Sequence, residues 1–395
     1  MAKICIPREE FSARIEKLRA IMAEQNLDVL MVYGDEYRKE NLRYVSNFWP
    51  IFERGALLIG TSGDPILLCA PEDEEMAKEA TVWSDVRVVP DFKCVTVSDD
   101  IDYPLANYAS FSGLAAELRS KGKVEKLGLA GMLDVSAPLL KIISDAFACE
   151  VVSADDILFN IRKVKSENEI ACLREAARMA EIGFRAMMDT NVIGKTERYA
   201  AGIAEGEARK AGAEAVIFTV FGSGERSAKI VGRPENKIIE DGDMIMCALA
   251  IQYEGYVATC EFPYAVGSYS EQTKRVLDVL IKAQNAGLEY LKPGVPMKHF
   301  VRAVRNYFRE VGLSEYDVYP PLHGIGCAEA ESPYPDENTE ACFEVGMTFN
   351  TDISLFGLEG GSNRIEESFV ITEDGFETFY PFMREYFTKW IEENP

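Results

Sequence analysis

Residues 243–267 run Asp243-Met244-Ile245-Met246-Cys247-Ala248-Leu249-Ala250-Ile251-Gln252-Tyr253-Glu254-Gly255-Tyr256-Val257-Ala258-Thr259-Cys260-Glu261-Phe262-Pro263-Tyr264-Ala265-Val266-Gly267. Two apolar runs flank Tyr253-Glu254-Gly255-Tyr256, which predicts strand, tight turn and strand. One acid, Glu261, stands inside the second run. On both sides the pattern turns helical. Upstream, Ser166 with Glu169 three residues on has the form of a capping box. Ile170, Leu173, Ala177, Ala180 and Phe184 follow as one apolar helix face. A second helix is expected over about 195–211, with its Glu and Arg residues on the outer side. Downstream, helices are expected over about 271–291 and 297–311, the latter stopped by Gly312. Late strands fit Met347–Thr351 and Ser368–Thr372. This part of the chain reads as α+β, with long helices on antiparallel strands.

The first 155 residues alternate differently. Phe11, Ile15, Leu18 and Met22 mark a helix over 9–25, and Asp28–Tyr33 reads as a buried strand. A hairpin is expected from Ala56–Gly60 and Pro65–Cys69 around Ser62-Gly63-Asp64, with further strands near Val86–Val89, Leu127–Ala130 and Cys149–Val152. This is an α/β pattern. Two domains are therefore expected, 1–155 and 156–395, joined by the basic hinge Arg162-Lys163-Val164-Lys165-Ser166. There is no internal repeat or low-complexity segment.

The 395 residues are 47% hydrophobic and 27% charged, as in a globular protein. Forty-two Lys and Arg stand against 65 Asp and Glu, a formal charge of -23, so nucleic acid and anionic membrane are poor partners. The same charge suits a small cationic guest. Only two histidines, His299 and His323, are present, which excludes mechanisms needing several imidazoles. The nine cysteines (residues 5, 69, 94, 149, 172, 247, 260, 327 and 342) form no C-x-x-C pair and read as reduced, buried thiols. With no secretion signal and no run of eighteen apolar residues, a cytoplasmic location is expected. No P-loop, Rossmann glycine fingerprint or zinc cluster occurs.

Three polar stretches interrupt apolar strands or turns: Glu261; His323-Gly324-Ile325-Gly326; and the pair Asp352 and Glu366. Acids inside strands are costly unless paired and so mark pockets, although each could be a strand-end carboxylate facing water. His323 could likewise be a core imidazole bonded to a carbonyl, and His299, at a helix start, is expected to be solvated. Phe48-Trp49-Pro50-Ile51-Phe52-Glu53-Arg54 sets an Arg beside aromatics, which suits a carboxylate clamp or a packed loop between domains.

Together with Glu240-Asp241-Gly242-Asp243, Val345-Gly346-Met347 and Arg364-Ile365-Glu366, these segments resemble the creatinase / aminopeptidase P / prolidase family along nearly the whole chain. The resemblance implies a small α/β N-terminal domain, an α+β "pita-bread" C-terminal domain of two pseudosymmetric halves, and a homodimer in which one N-terminal domain closes the neighbour's site. The family's peptidases hold two metal ions with two Asp, one His and two Glu. Those positions fall here on Ala248, Thr259, His323, Asp352 and Glu366, and a further catalytic His falls on Ala330. Two carboxylates are thus missing, so neither a dinuclear metal site nor any cofactor is expected, although His323, Asp352 and Glu366 could still make a single-metal site.

Creatinase, a metal-free member, shares this departure. Glu261 matches its substrate-binding Glu, and Phe52-Glu53-Arg54 matches its substrate-carboxylate clamp. Its catalytic His, however, is absent from Lys229-Ile230-Val231-Gly232-Arg233-Pro234, where Val231 stands in the corresponding loop. The expectation is a metal-independent hydrolase of a non-peptide C–N bond in a small guanidino, amidine or cyclic amide acid. His323 would act as acid/base with Glu261, Asp352 and Glu366, while Arg54, Phe52 and Arg364 bind the substrate. The alternatives are an inactive peptide- or protein-binding module and a degenerate Xaa-Pro peptidase.

Overall fold

The structure is a computed structural model and describes residues 3–93, 106–358 and 361–393. Cys94, read as a buried thiol, lies outside these residues. The chain divides into two compact units, Ile6–Arg162, and Lys163–Pro395 together with Met1–Cys5.

In the N-terminal unit, six strands among the described residues form one mixed sheet. Its order is Asp85–Val88, Ile66–Cys69, Arg54–Gly60, Val29–Asp35, Lys126–Ala130 and Glu150–Ser153. The central strand Val-Leu-Met-Val-Tyr-Gly-Asp is buried over its first six residues. Its unbroken apolar run follows from that, since a strand covered on both faces has no polar side to show. The helix Arg8–Glu24 buries the 3–4 spaced face of Phe11, Ile15, Leu18 and Met22.

The C-terminal unit repeats one plan twice: two helices, then antiparallel strands. The first helix, Glu167–Asp189, begins with the expected capping box, Ser166 accepting from the Glu169 amide and Glu169 accepting from the Ser166 amide. Such a cap stabilises a helix start by about 1 kcal/mol. The strand Met244–Tyr253 turns at Glu254 and Gly255 into Tyr256–Cys260. Both turn residues have positive φ, 47° and 84°, as a two-residue hairpin with right-handed strand twist requires. The long strand Ala215–Ser223, which the sequence reading did not delimit, pairs on the other side of Met244–Tyr253. In the second half, helices Glu271–Leu288 and Lys298–Glu310 precede a sheet of Leu322–Gly324, Thr348–Thr351, Ser368–Thr372 and Gly375–Thr378.

The halves are joined by a two-bond antiparallel bridge. The Glu261 amide donates to the Glu366 carbonyl at 3.1 Å, and the Glu366 amide donates to the Glu261 carbonyl at 2.8 Å. Next to Glu261, Phe262 packs on Phe184 with ring centroids 4.6 Å apart and on Tyr386 at 5.2 Å. Side chains alternate across an extended segment. Anchoring Phe262 in this aromatic cluster therefore turns Glu261 to the opposite face.

Three expectations are corrected. Glu197, placed by the helical pattern on an outer face, is fully buried, because the following loop folds over the start of its helix Glu197–Lys210. Cys5 is exposed, and Cys149 and Cys342 are partly so, because they lie at a chain end and in connections; Cys69, Cys172, Cys247, Cys260 and Cys327 are buried as expected. His299 is half-buried and stacks on Tyr290, with centroids 5.9 Å apart.

Candidate active site

A cavity of about 960 Å3 opens in the C-terminal unit, with His323, Glu329, Asp352, Arg364 and Glu366 in its lining. Each is brought there by main-chain pairing. His323 lies on Leu322–Gly324, opposite Asn350 of the neighbouring strand, and the Asp352 amide donates to the Pro321 carbonyl at 3.0 Å. The His323 imidazole therefore reaches Asp352, with Nε2 3.2 Å from Oδ2. The glycines after His323 serve close packing of the protein on itself. A Cβ on Gly324 would lie 2.7 Å from the Ser332 carbonyl oxygen, and one on Gly326 would overlap the Glu331 carboxylate. That carboxylate pairs with buried Lys165 at 2.9 Å and ties down the loop carrying Glu329 and Ala330.

His323 has an oxygen on each side. Nδ1 is 2.9 Å from the Gly324 carbonyl, while Nε2 faces Asp352 and, at 3.8 Å, Glu329. An imidazole can satisfy acceptors at both nitrogens only as the cation. Burial alone would lower its pKa, but the Asp352 charge and hydrogen bond, then Glu329, outweigh burial and raise it to about 9. Glu329, which the sequence reading missed, accepts from Thr259 Oγ1 at 3.3 Å. Burial first, and then Asp352, raise its carboxyl above the usual range, against the His323 charge. No periodic pattern encodes this loop. The one local signal was an acid beside Ala330, where the family resemblance had already placed chemistry.

Glu261, Asp352 and Glu366 converge as expected, but they do not form an open cradle. Arg364 lies among them, with Nε 2.8 Å from Glu261, Nη2 2.5 Å from Glu366 and Nε 3.7 Å from Asp352. It is 4% exposed. Arg364, expected to bind the substrate, lines the cavity with two of its three nitrogens paired to acids of the protein. Asn350 donates to the second oxygen of Glu366 at 3.3 Å. Burial raises the Glu261 and Glu366 carboxyls against the pull of Arg364, whereas Asp352 is held low, because the His323 and Arg364 charges overcome its burial. Ala330 and Val231, where the resemblance sets family histidines, both line the cavity. Arg54 and Phe52 belong to the N-terminal unit. There Arg54 Nη1 donates to the Lys93 carbonyl at 2.9 Å, and Phe52 is exposed.

A dinuclear divalent-metal centre does not fit these residues. Ala248 offers no oxygen and Thr259 only a hydroxyl at the two positions of the missing carboxylates. The remaining oxygens are spread around a permanently charged guanidinium. Among the described residues, no three His, Cys, Asp or Glu side chains are grouped to hold an ion.

Residues 171–373 match the profile of Metallopeptidase family M24, and residues 14–164 match that of the Creatinase/Prolidase N-terminal domain. An Xaa-Pro dipeptidase of Pyrococcus furiosus is 27% identical over 364 residues, covering 92% of this chain and 96% of the relative. An uncharacterized peptidase of Bacillus subtilis is also 27% identical, over 92% and 97%. An X-Pro aminopeptidase from Thermotoga maritima superposes with a TM-score of 0.79 at 26% identity, over 92% of this chain and 96% of the other. The fold is the α/β N-terminal domain plus α+β pita-bread domain expected from sequence. The expected activity is overturned: these relatives are peptidases, two of them named for Xaa-Pro substrates, so a creatinase-like hydrolase of a non-peptide C–N bond is the wrong reading. The missing metal carboxylates had pointed to creatinase, but that departure is local and the similarity to peptidases runs the length of the chain. The same chain-wide likeness places this protein among hydrolases.

Proposed function

The chain belongs to Metallopeptidase family M24, and from that premise we propose that it hydrolyses short Xaa-Pro peptides using its own side chains in place of a dinuclear metal centre. The observation that carries this reading is the imidazole of His323, whose Nε2 faces both Asp352 and Glu329, on the wall of a cavity large enough for a dipeptide. The His323 imidazolium, held by Asp352 and the Gly324 carbonyl, sets its positive charge on the cavity wall, where it stabilises the negative charge that forms on the scissile carbonyl oxygen. Glu329 takes a proton from the attacking water, whose oxygen bonds to the carbonyl carbon, and delivers that proton to the departing proline nitrogen as the C–N bond breaks. Burial raises its carboxyl above the usual range, the direction that favours returning the proton to the leaving nitrogen.

The test is release of free proline from a panel of Xaa-Pro dipeptides, with and without chelator. Turnover should survive the chelator and fall by about a hundredfold or more in Glu329→Gln and in His323→Asn. Binding of the dipeptides without proline release from any of them would refute hydrolysis and leave a peptide-binding module. The homodimer, with Arg54 and Phe52 closing the neighbour's cavity, remains part of this proposal, and sedimentation of the purified protein as a monomer would remove it.

A further inference from the structure

We propose that the hydroxyl of Tyr319 is a further catalytic group of this site: it donates the hydrogen bond that the negative oxygen of the tetrahedral intermediate requires. The inference rests on the hydrolytic reading above and gives a task to a side chain that reading leaves idle.

Four observations carry it. First, charge builds on the scissile carbonyl oxygen, and a donor fixed in place beforehand holds such charge best. His323 supplies positive charge, but its two nitrogens already face the Gly324 carbonyl at 2.9 Å and Asp352 at 3.2 Å. Second, Tyr319 lines the same cavity, half-buried, and its hydroxyl has no hydrogen-bond partner among the described residues. A phenol has one proton to donate, and here it is unspent. Third, the ring is held in place. Its centroid is 5.6 Å from Arg364 Cζ, within cation–π range, and Arg364 is fixed in turn by Glu261 and Glu366. The hydroxyl lies in the field of Asp352, Arg364, Glu366 and Glu329, which line the cavity with His323. Burial first, and then Asp352, raise the phenol above its ordinary value against the pull of Arg364, so it keeps its proton at neutral pH. Fourth, the main chain is stiff. Tyr319 precedes Pro320 and Pro321, which hold it extended and fix the next two φ angles. The Pro321 carbonyl accepts from the Asp352 amide at 3.0 Å, and the strand Leu322–Gly324 with His323 begins directly after. The water's proton still passes to Glu329 and on to the proline nitrogen. The phenol proton stays on its own oxygen, so no covalent bond of Tyr319 forms or breaks.

The experiment compares wild-type protein with Tyr319→Phe, which keeps the ring on Arg364 and removes only the hydroxyl. Proline release from Xaa-Pro dipeptides gives kcat and KM. Calorimetry gives the affinities of free proline and of a phosphinic analogue of Ala-Pro, whose tetrahedral oxygens imitate the intermediate. In Tyr319→Phe, kcat should fall about a hundredfold while KM stays within about twofold. The analogue should bind about a hundredfold more weakly, and proline as tightly as before. Wild-type kcat and wild-type analogue affinity in Tyr319→Phe overturn the proposal and leave the hydrolase reading standing. So does a loss shared equally by KM and proline affinity, which marks a binding or packing role. Wild-type protein that releases no proline from any dipeptide removes the hydrolase reading and this one with it, so the wild-type control tells the two failures apart.

Discussion

Removing the carboxylate of Glu197 should loosen one wall of the cavity without touching the reacting groups. The side chain is fully buried and accepts from the Ser223 amide and hydroxyl, both at 2.9 Å, from Arg226 Nε at 3.1 Å and from the Glu235 amide at 2.9 Å. These bonds clasp the two ends of the segment whose residues 231–234 line the cavity. In Glu197→Ala the two donors of buried Ser223 lose their acceptor, at about 1–3 kcal/mol each. Arg226 and Glu235 lie nearer solvent and can recruit water, adding about 0.5 kcal/mol each. The total is about 5 kcal/mol, at the upper end of the range for breaking a buried pair. Glu197→Gln keeps one acceptor oxygen and should lose about half as much. Urea unfolding followed by circular dichroism measures the loss, and hydrogen exchange of peptides covering 223–235 localises it. In turnover of Xaa-Pro peptides, KM should rise several-fold more than kcat falls. A Glu197→Ala variant within about 1 kcal/mol of wild type, with unchanged exchange in that segment, would refute the clasp.

Two further predictions concern pH. The imidazolium of His323 is the form that stabilises the developing oxyanion. With its pKa raised to about 9, turnover should hold through neutral pH and fall as pH rises through about 9, and a fall centred near 6.5 would contradict the geometry. In the N-terminal unit, hydrogen bonds from Arg87 and then Lys121 lower the Glu117 carboxyl from 4.5 to about 2. A depressed acid adds stability above its unfolded value and loses it as pH falls from about 4.5 toward 2. After discounting for solvent at this partly exposed pair, Glu117→Gln should cost about 1 kcal/mol at pH 6 and nothing at pH 2, by thermal unfolding at each pH.

Local rules made much of the fold legible. The capping box at Ser166, the strand Ser368–Thr372 and the turn at Glu254-Gly255 depend on neighbours within four residues, and the chain writes them openly. The acidic members of the site were legible too, because Glu261, Asp352 and Glu366 break apolar strands where an acid needs a reason. What they meet was not. Arg364 and Glu261 are 103 residues apart, Lys165 and Glu331 are 166 apart, and Glu329 sits in an irregular loop. Glu197 shows the same limit. Helical periodicity placed it outward, and only the fold of a loop nearly forty residues on makes it buried. An acidic cradle for a cationic guest was right about the charge and wrong about the guest, since the chain supplies its own cation.

The rung between residues 261 and 366 gives the acidic cluster a mechanical side. One pair of backbone hydrogen bonds sets the spacing of the two main-chain segments that carry these carboxylates, which belong to opposite halves of the domain. Arg364 binds across the seam between these halves, with Glu261 on one side and Glu366 on the other, and so acts as a rivet through it. A charge added or removed at this point therefore acts on a contact that ties the two half-sheets together.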